Sequence, residues 1–160
     1  LAHLAFDERC LLGFNSQFRL EPPLRSIDDR KALLDAVNSG VLSISIGHQP
    51  QDIAAKTAPF SEAAEGMSLY DTHISLAKAL IAAGDLEPLA WVRALTTQPA
   101  AIIDRQVTGI NVGDVAALNV IGDHTWTPNK SNCHSSGGNI FGFRQKQVGK
   151  LTHRISGTAE

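Results

Sequence analysis

The residues best placed to do chemistry lie at 47–51, Gly-His-Gln-Pro-Gln, directly after the apolar run 41–46. A short apolar run bounded by turn residues is typical of a buried strand, whose tip presents side chains to a site. The imidazole of His48 can carry a proton or bind a metal ion, whereas Gly47 has no side chain and glutamines carry neutral amides. The tip therefore has the position of a catalytic centre but only one group that titrates near neutral pH.

The six histidines of the chain do not show the spacing of a metal site. No pair is separated as H-x-H or H-x-x-x-H, the patterns that bring two imidazoles to one ion. His3 and His48 are the better candidates, because both lie at the boundaries of apolar segments. His73 is expected on a helix, and His124 and His134 are expected in a polar, glycine-rich loop where exposure is usual.

Other catalytic motifs are absent from the sequence. It contains neither the G-x-S-x-G turn of serine hydrolases nor a Walker phosphate loop. Cys10 and Cys133 lie far apart and form no C-x-x-C pair. This pattern favours two free thiols and argues against a structural zinc site.

The composition of the chain excludes several functional classes. Its 160 residues are 43% hydrophobic and 19% charged, as in an ordinary globular domain. A net charge of −2 argues against partners such as nucleic acid or an anionic membrane surface. No apolar stretch approaches the roughly 18 residues of a membrane span, and no signal peptide is visible. We therefore expect a cytoplasmic protein, and the lack of an initial Met indicates a piece of a longer one.

The first two-thirds of the chain are predicted to alternate helices with a strand. Ser26 is a good N-cap with Asp28 and Asp29 in the first turn, and Gly40 ends that helix. The helix leads directly into the predicted strand 41–46, as in an α/β unit. Further elements are a short strand at 18–20, a long loop at 47–66, and helices at about 68–83, 87–95 and 98–103.

Beyond residue 105 the sequence changes to short β-type runs separated by glycines. The runs 116–121 and 148–155 predict strands. We therefore predict two units, a helical α/β part at 1–105 and a small β subdomain at 106–160.

Four groups of residues, in a consistent order over nearly the whole chain, resemble the C-terminal part of dihydroorotases, cyclic amidohydrolases of the urease-related barrel superfamily. They are Glu21-Pro22-Pro23-Leu24-Arg25 with Asp28-Asp29-Arg30 and Ala32-Leu33; His48-Gln49-Pro50-Gln51 with Lys56, Ala58-Pro59-Phe60 and Gly66; Leu95-Thr96 with Pro99-Ala100-Ala101-Ile102-Ile103; and Gly109 with Gly113-Asp114-Val115-Ala116-Ala117-Leu118 and Trp126-Thr127. A looser match to a late "N-T-P-F…G" element involves Asn139, Phe141 and Gly149.

The resemblance implies the last portion of a TIM-type (β/α)₈ barrel, followed by a small β subdomain that the family builds from both chain ends. Such a barrel takes about 250 residues, so this chain alone cannot close it. The family's early H-x-H motif has no counterpart, and no residue matches its bridging carboxylated lysine. We expect an incomplete barrel that pairs with the missing N-terminal part or self-associates, because open strand edges invite pairing.

In the family, zinc ions and a carboxylate at the tip of the last strand convert N-carbamoyl-aspartate to dihydroorotate and back. His48 matches the first histidine of the family motif D-H-x-P-H, which leaves Gly47 at the position of the acid and Gln51 at that of the closing histidine. Glu21 stands where the family has a substrate-binding asparagine. His3 falls where the family has a zinc-ligand histidine.

This pattern favours a degenerate, non-catalytic dihydroorotase homologue in which zinc is absent or incompletely held and no catalytic residue is assigned. The family includes inactive companions of aspartate carbamoyltransferase, which implies such a partner in pyrimidine biosynthesis. A one-residue slip in the match would instead place His48 opposite the acid. Two alternatives stay open: an active zinc-dependent amidohydrolase whose other ligands lie upstream, and a generic α/β binding module.

Overall fold

A computed structural model describes residues 1–107, 109–142 and 144–157 of the chain. Its helices are α1 Ala2–Ala5, α2 Ile27–Asn38, α3 Ile53–Thr57, α4 His73–Ala82, α5 Pro88–Leu95 and α6 Thr97–Ile102, with 3₁₀ turns at Glu8–Leu11 and Ser16–Phe18. Two strands, β1 Ala117–Trp126 and β2 Gln147–Ser156, form a two-stranded antiparallel sheet. No helix in these ranges is long and apolar enough to cross a membrane.

Helix α2 begins and ends as the sequence predicts. The Ser26 hydroxyl accepts the amide of Asp29 at 3.1 Å, and the Asp29 carboxylate accepts the amide of Ser26 at 3.2 Å, which makes a reciprocal cap. Leu34 and Val37 are buried on its inner face. Gly40 follows with φ +82°, a left-handed conformation that ends helices at low cost.

The segment predicted as a strand at 41–46 is extended, but it does not pair with another strand in the described ranges. The prediction of a sheet strand is therefore wrong. A strand needs neighbours on its edges, whereas here Ile44 donates its amide to the carbonyl of Ala94 on α5 at 2.9 Å. Its side chains alternate: Leu42, Ile44 and Ile46 are half-buried, and the residues between them are exposed. One face of the segment therefore packs on the helices and the other is open.

Further elements differ from the prediction, including helix α3, which lies inside the loop predicted at 47–66. Helix α4 begins at His73 rather than near 68, because Ser68 is engaged in a parallel bridge to Ile140. The amide of Phe141 donates to the carbonyl of Ser68 at 3.0 Å, so this segment is held extended by the C-terminal part of the chain. The short strand expected at 18–20 is also wrong, because Ser16–Phe18 forms a 3₁₀ turn. The helices expected at 87–95 and 98–103 are confirmed to within a residue.

The core consists of two apolar clusters that share helices α1 and α4. The first contains Leu4, Leu34, Val37, Leu80, Leu86 and Ala94, with Leu42 and Ile44 packed against it. The second contains Ala2, Met67, Leu69 and Leu76, with Ile46 and the rings of Phe6, Phe18 and Phe141 around it. The extended segment 41–46 therefore contacts both clusters, and its last apolar residue leads directly to Gly47.

The two-stranded sheet is fixed to α4 by a buried hydrogen-bonded contact. The indole of Trp126 donates to the carbonyl of Gly149 at 3.0 Å, and the hydroxyl of Ser75 on α4 donates to the same carbonyl at 2.7 Å. Both predicted strands exist and are longer than expected. The division into 1–105 and 106–160 stays a prediction, and the second unit includes residues 108, 143 and 158–160, which lie outside the described ranges.

Candidate functional site

Gly47 occupies the tip of the extended segment in a conformation that suits glycine. Its φ is +66°, in the left-handed region, and a Cβ built on it would meet no heavy atom within 4 Å. The next residues are anchored, because His48 forms a parallel bridge with buried Met67 and the amide of Gln49 donates to the Met67 carbonyl at 3.0 Å. The tip therefore has space for a side chain but supplies none.

His48 is held by the backbone of Tyr70. The Tyr70 amide donates to Nδ1 of His48 at 3.1 Å, and the two rings pack edge to face with centroids 5.7 Å apart. On the other side of the same residue, Nδ1 of His73 lies 2.6 Å from the Tyr70 carbonyl oxygen. Tyr70 is half exposed and thus contacts two imidazoles at the surface.

Gln51, which stands where the family has a histidine, makes structural contacts. Its amide donates to Oδ1 of Asn139 at 2.8 Å, and its side-chain amide donates to the carbonyl of Glu65 at 2.8 Å. The side-chain amide of Asn139 in turn donates to the carbonyls of Gln49 at 3.0 Å and Gly66 at 3.3 Å. Asn139 is buried, so this network fixes the loop that carries His48.

Lys56 is the buried centre of the same loop. Its ammonium lies 2.8 Å from the carbonyl oxygen of Ala64, 3.0 Å from that of Gly66 and 3.4 Å from that of Arg19. Three acceptors match its three N–H donors. Burial lowers the pKa of Lys56, and the nearby Arg19 guanidinium lowers it further. Sequence comparison picked out Lys56 as part of a motif, but only the structure assigns it this role.

The other two site candidates are His3 and Glu21. Nε2 of His3 donates to the carbonyl of Pro22 at 2.8 Å, and Glu21 is exposed. Within the described ranges, no group of three or more His, Cys, Asp or Glu residues is arranged to hold a metal ion. Zinc needs three or four such ligands, so the described residues do not by themselves fit a zinc centre.

Asp71 is a structural residue that the sequence did not reveal. Its nearly buried carboxylate accepts the amides of His134 at 2.7 Å and Ser135 at 3.0 Å, and Nδ1 of His134 lies 3.3 Å from it. It therefore ties the loop before β2 to the start of α4. No local pattern predicts a contact between residues 63 positions apart.

Comparisons with known proteins identify sequence relatives of the chain. No family model matches the chain. A dihydroorotase from Anaeromyxobacter dehalogenans is 32% identical over 161 residues, which cover 97% of this chain and 37% of that protein. A dihydroorotase-like protein from Pseudomonas aeruginosa is 34% identical over 119 residues, 74% of this chain and 28% of that protein.

Solved structures give the same fold. A D-hydantoinase from Thermus sp. superposes with a TM-score of 0.76 at 20% identity, over 98% of this chain and 36% of that one. A dihydroorotase from Campylobacter jejuni superposes with a TM-score of 0.70 at 14% identity, over 94% of this chain and 42% of that one.

These structures are TIM-barrel amidohydrolases, and the chain covers only 36% and 42% of them. The expected fold class, a partial amidohydrolase barrel, is confirmed. The sequence relatives narrow this assignment: the chain is a homologue of the dihydroorotases and corresponds to a C-terminal part of them.

Proposed function

We propose that the protein carrying this chain is a dihydroorotase-like protein of pyrimidine biosynthesis that is catalytically inactive and acts as a structural companion of aspartate carbamoyltransferase. The observation that carries the proposal is Gly47, which stands where the resemblance implies the acid. A general acid–base step requires a side chain that can hold a proton within hydrogen-bonding reach of the reacting group. Glycine has none, and the described contacts bring no other acid to its position.

The contacts of two neighbouring positions support the same proposal. The side-chain amide of Gln51 donates to the backbone carbonyl of Glu65, so this residue is part of the scaffold. Glu21 places an exposed carboxylate where the family has a neutral amide. A carboxylate at that position repels an anionic substrate such as N-carbamoyl-aspartate.

The second candidate function is an active zinc-dependent dihydroorotase or related cyclic amidohydrolase. The observation in its favour is the length of the relatives: the chain spans only 37% of the Anaeromyxobacter dihydroorotase, so most of that protein has no counterpart here. Further zinc ligands would then lie upstream, with His3 as the one matched ligand in this chain. His48 or Glu21 would have to replace the missing acid.

One experiment separates the two functions. The full-length protein is assayed for dihydroorotate ring opening, with elemental analysis for zinc, beside the Anaeromyxobacter dihydroorotase as a positive control. The proposal expects no turnover above background and co-elution with aspartate carbamoyltransferase on size exclusion. Turnover comparable to the control, accompanied by stoichiometric zinc, would establish the alternative. Sizing also tests self-association, and a cytoplasmic location stays an expectation.

A further inference from the structure

We infer that the His48 ring is held as a hydrogen-bond acceptor at Nδ1, with its proton on Nε2, and that it is therefore not a metal ligand. This inference deepens the proposed loss of catalysis and rests on it for its functional meaning. It concerns the one imidazole that could have replaced the acid missing at Gly47.

The position of the proton follows from the partner of Nδ1. That nitrogen lies 3.1 Å from the backbone amide of Tyr70, which can only donate. Nδ1 of His48 must therefore carry a lone pair, and the neutral ring keeps its single proton on Nε2. The contact is anchored on both sides, because His48 forms a bridge with buried Met67 and Tyr70 follows fully buried Leu69.

Neither nitrogen of His48 is free to bind a metal ion in this arrangement. The lone pair of Nδ1 is occupied by the Tyr70 amide. Coordination through Nε2 requires its proton to move to Nδ1, where it would point at the Tyr70 N–H. Metal binding would therefore break this hydrogen bond and leave two donors facing each other.

His73 contacts the same residue, Tyr70, but faces its carbonyl rather than its amide. Its Nδ1 lies 2.6 Å from the Tyr70 carbonyl oxygen, which can only accept, so Nδ1 carries the proton and Nε2 carries the lone pair. Metal-binding histidines show this arrangement, with one ring N–H donated to a carbonyl or carboxylate. The structure thus sets opposite tautomers for His48 and His73.

The tautomer of His48 also matters for a one-residue slip in the match to the family motif and for an acid restored at position 47. If the match slipped by one residue and His48 took the place of the acid, the ring would still have to give up its hydrogen bond to the Tyr70 amide before it could coordinate a metal. An acid restored at position 47 would likewise find no ligand in His48.

The experiment uses the full-length protein with ¹⁵N-labelled histidine at alkaline pH, because the two tautomers are defined for the neutral imidazole. Long-range proton–nitrogen correlation spectra report the tautomer of each ring, and His48→Asn and His73→Asn assign the two signals. His48→Asn is the matched variant, because its amide oxygen can still accept the Tyr70 amide. The expected result is Nε2–H for His48, Nδ1–H for His73, and the same zinc stoichiometry for the wild type and His48→Asn.

An Nδ1–H tautomer at His48 would overturn the inference, as would the loss of one zinc equivalent in His48→Asn. The tautomer is read in the unmodified protein, so the test survives a variant that fails to fold. Ring opening by a protein that keeps Nε2–H on His48 would refute the proposed inactivity alone. The two failures are therefore distinguishable.

Discussion

Replacing Lys56 by Met removes the ammonium from the centre of the site loop while keeping an unbranched apolar stem of similar length. The loop should lose stability because the ammonium is fully buried and joins three backbone carbonyls. The loss depends on which of these carbonyls keeps another partner. Gly66 O still accepts from Asn139, and Arg19 O still accepts the amide of Gly66 at 3.0 Å.

The carbonyl of Ala64 loses its hydrogen-bond donor, because Lys56 is its partner among the described contacts. Leaving one buried acceptor without a partner costs about 1–3 kcal/mol, and each weakened bond to the other two carbonyls adds about 0.5–1 kcal/mol. We therefore expect Lys56→Met to lower the free energy of unfolding by about 3 kcal/mol.

The measurement is urea denaturation of the purified protein, with Lys31→Met as a matched control. Lys31 lies on the exposed face of α2, so its replacement should change stability by less than about 0.5 kcal/mol. If Lys56→Met proves as stable as Lys31→Met, the ammonium does not hold the loop and our account of its anchoring is wrong.

Three other substitutions test further parts of the structure. The Arg9 guanidinium lowers the pKa of Asp7 to about 2. The pair therefore stabilises the fold above about pH 4, and this contribution is lost as the pH falls through 2. Asp7→Asn should flatten that part of a profile of unfolding free energy against pH. Gly66→Ala should cost about 2–3 kcal/mol in urea denaturation, because φ is +114° and the new Cβ would lie 2.5 Å from Cβ of Gln49. Gly47→Asp should cost only about 1 kcal/mol by the same assay, because the site is open and Asp tolerates left-handed backbone.

The controls for these substitutions come from the chain itself. Gly13 has φ +76° and no heavy atom near its missing Cβ, so Gly13→Ala measures the backbone cost alone. A Gly66→Ala variant no less stable than Gly13→Ala would contradict the close contact described at Gly66. If Asp7→Asn leaves the unfolding free energy unchanged between about pH 4 and pH 2, another group controls stability in that range.

The sequence predicts those features that depend on neighbouring residues. The capping box of Ser26 and Asp29 and the left-handed Gly40 are local signals, and they place α2 correctly. The extended form of 41–46 is also predictable from its apolar run. Its lack of strand partners is not, because pairing depends on residues outside the run.

The candidate site is predictable in its members but not in its contacts. The resemblance identified His48 and Gln51, yet Gln51 is joined to Asn139 from 88 positions away. The match of Asn139 to the family was loose, and nothing near it in sequence indicates that it fixes the loop. Likewise, the tautomer of His48 depends on the amide of Tyr70, which every residue type except proline would supply.

The alternation along 41–46 also determines where a reporter group can be attached. Ser43 and Ser45 project from the open face while their neighbours pack on the helices. A spin label or fluorophore at Ser43 therefore sits in water until other strands of a barrel close over that side. The solvent accessibility of the label would then report the docking of a complementary fragment that is added separately.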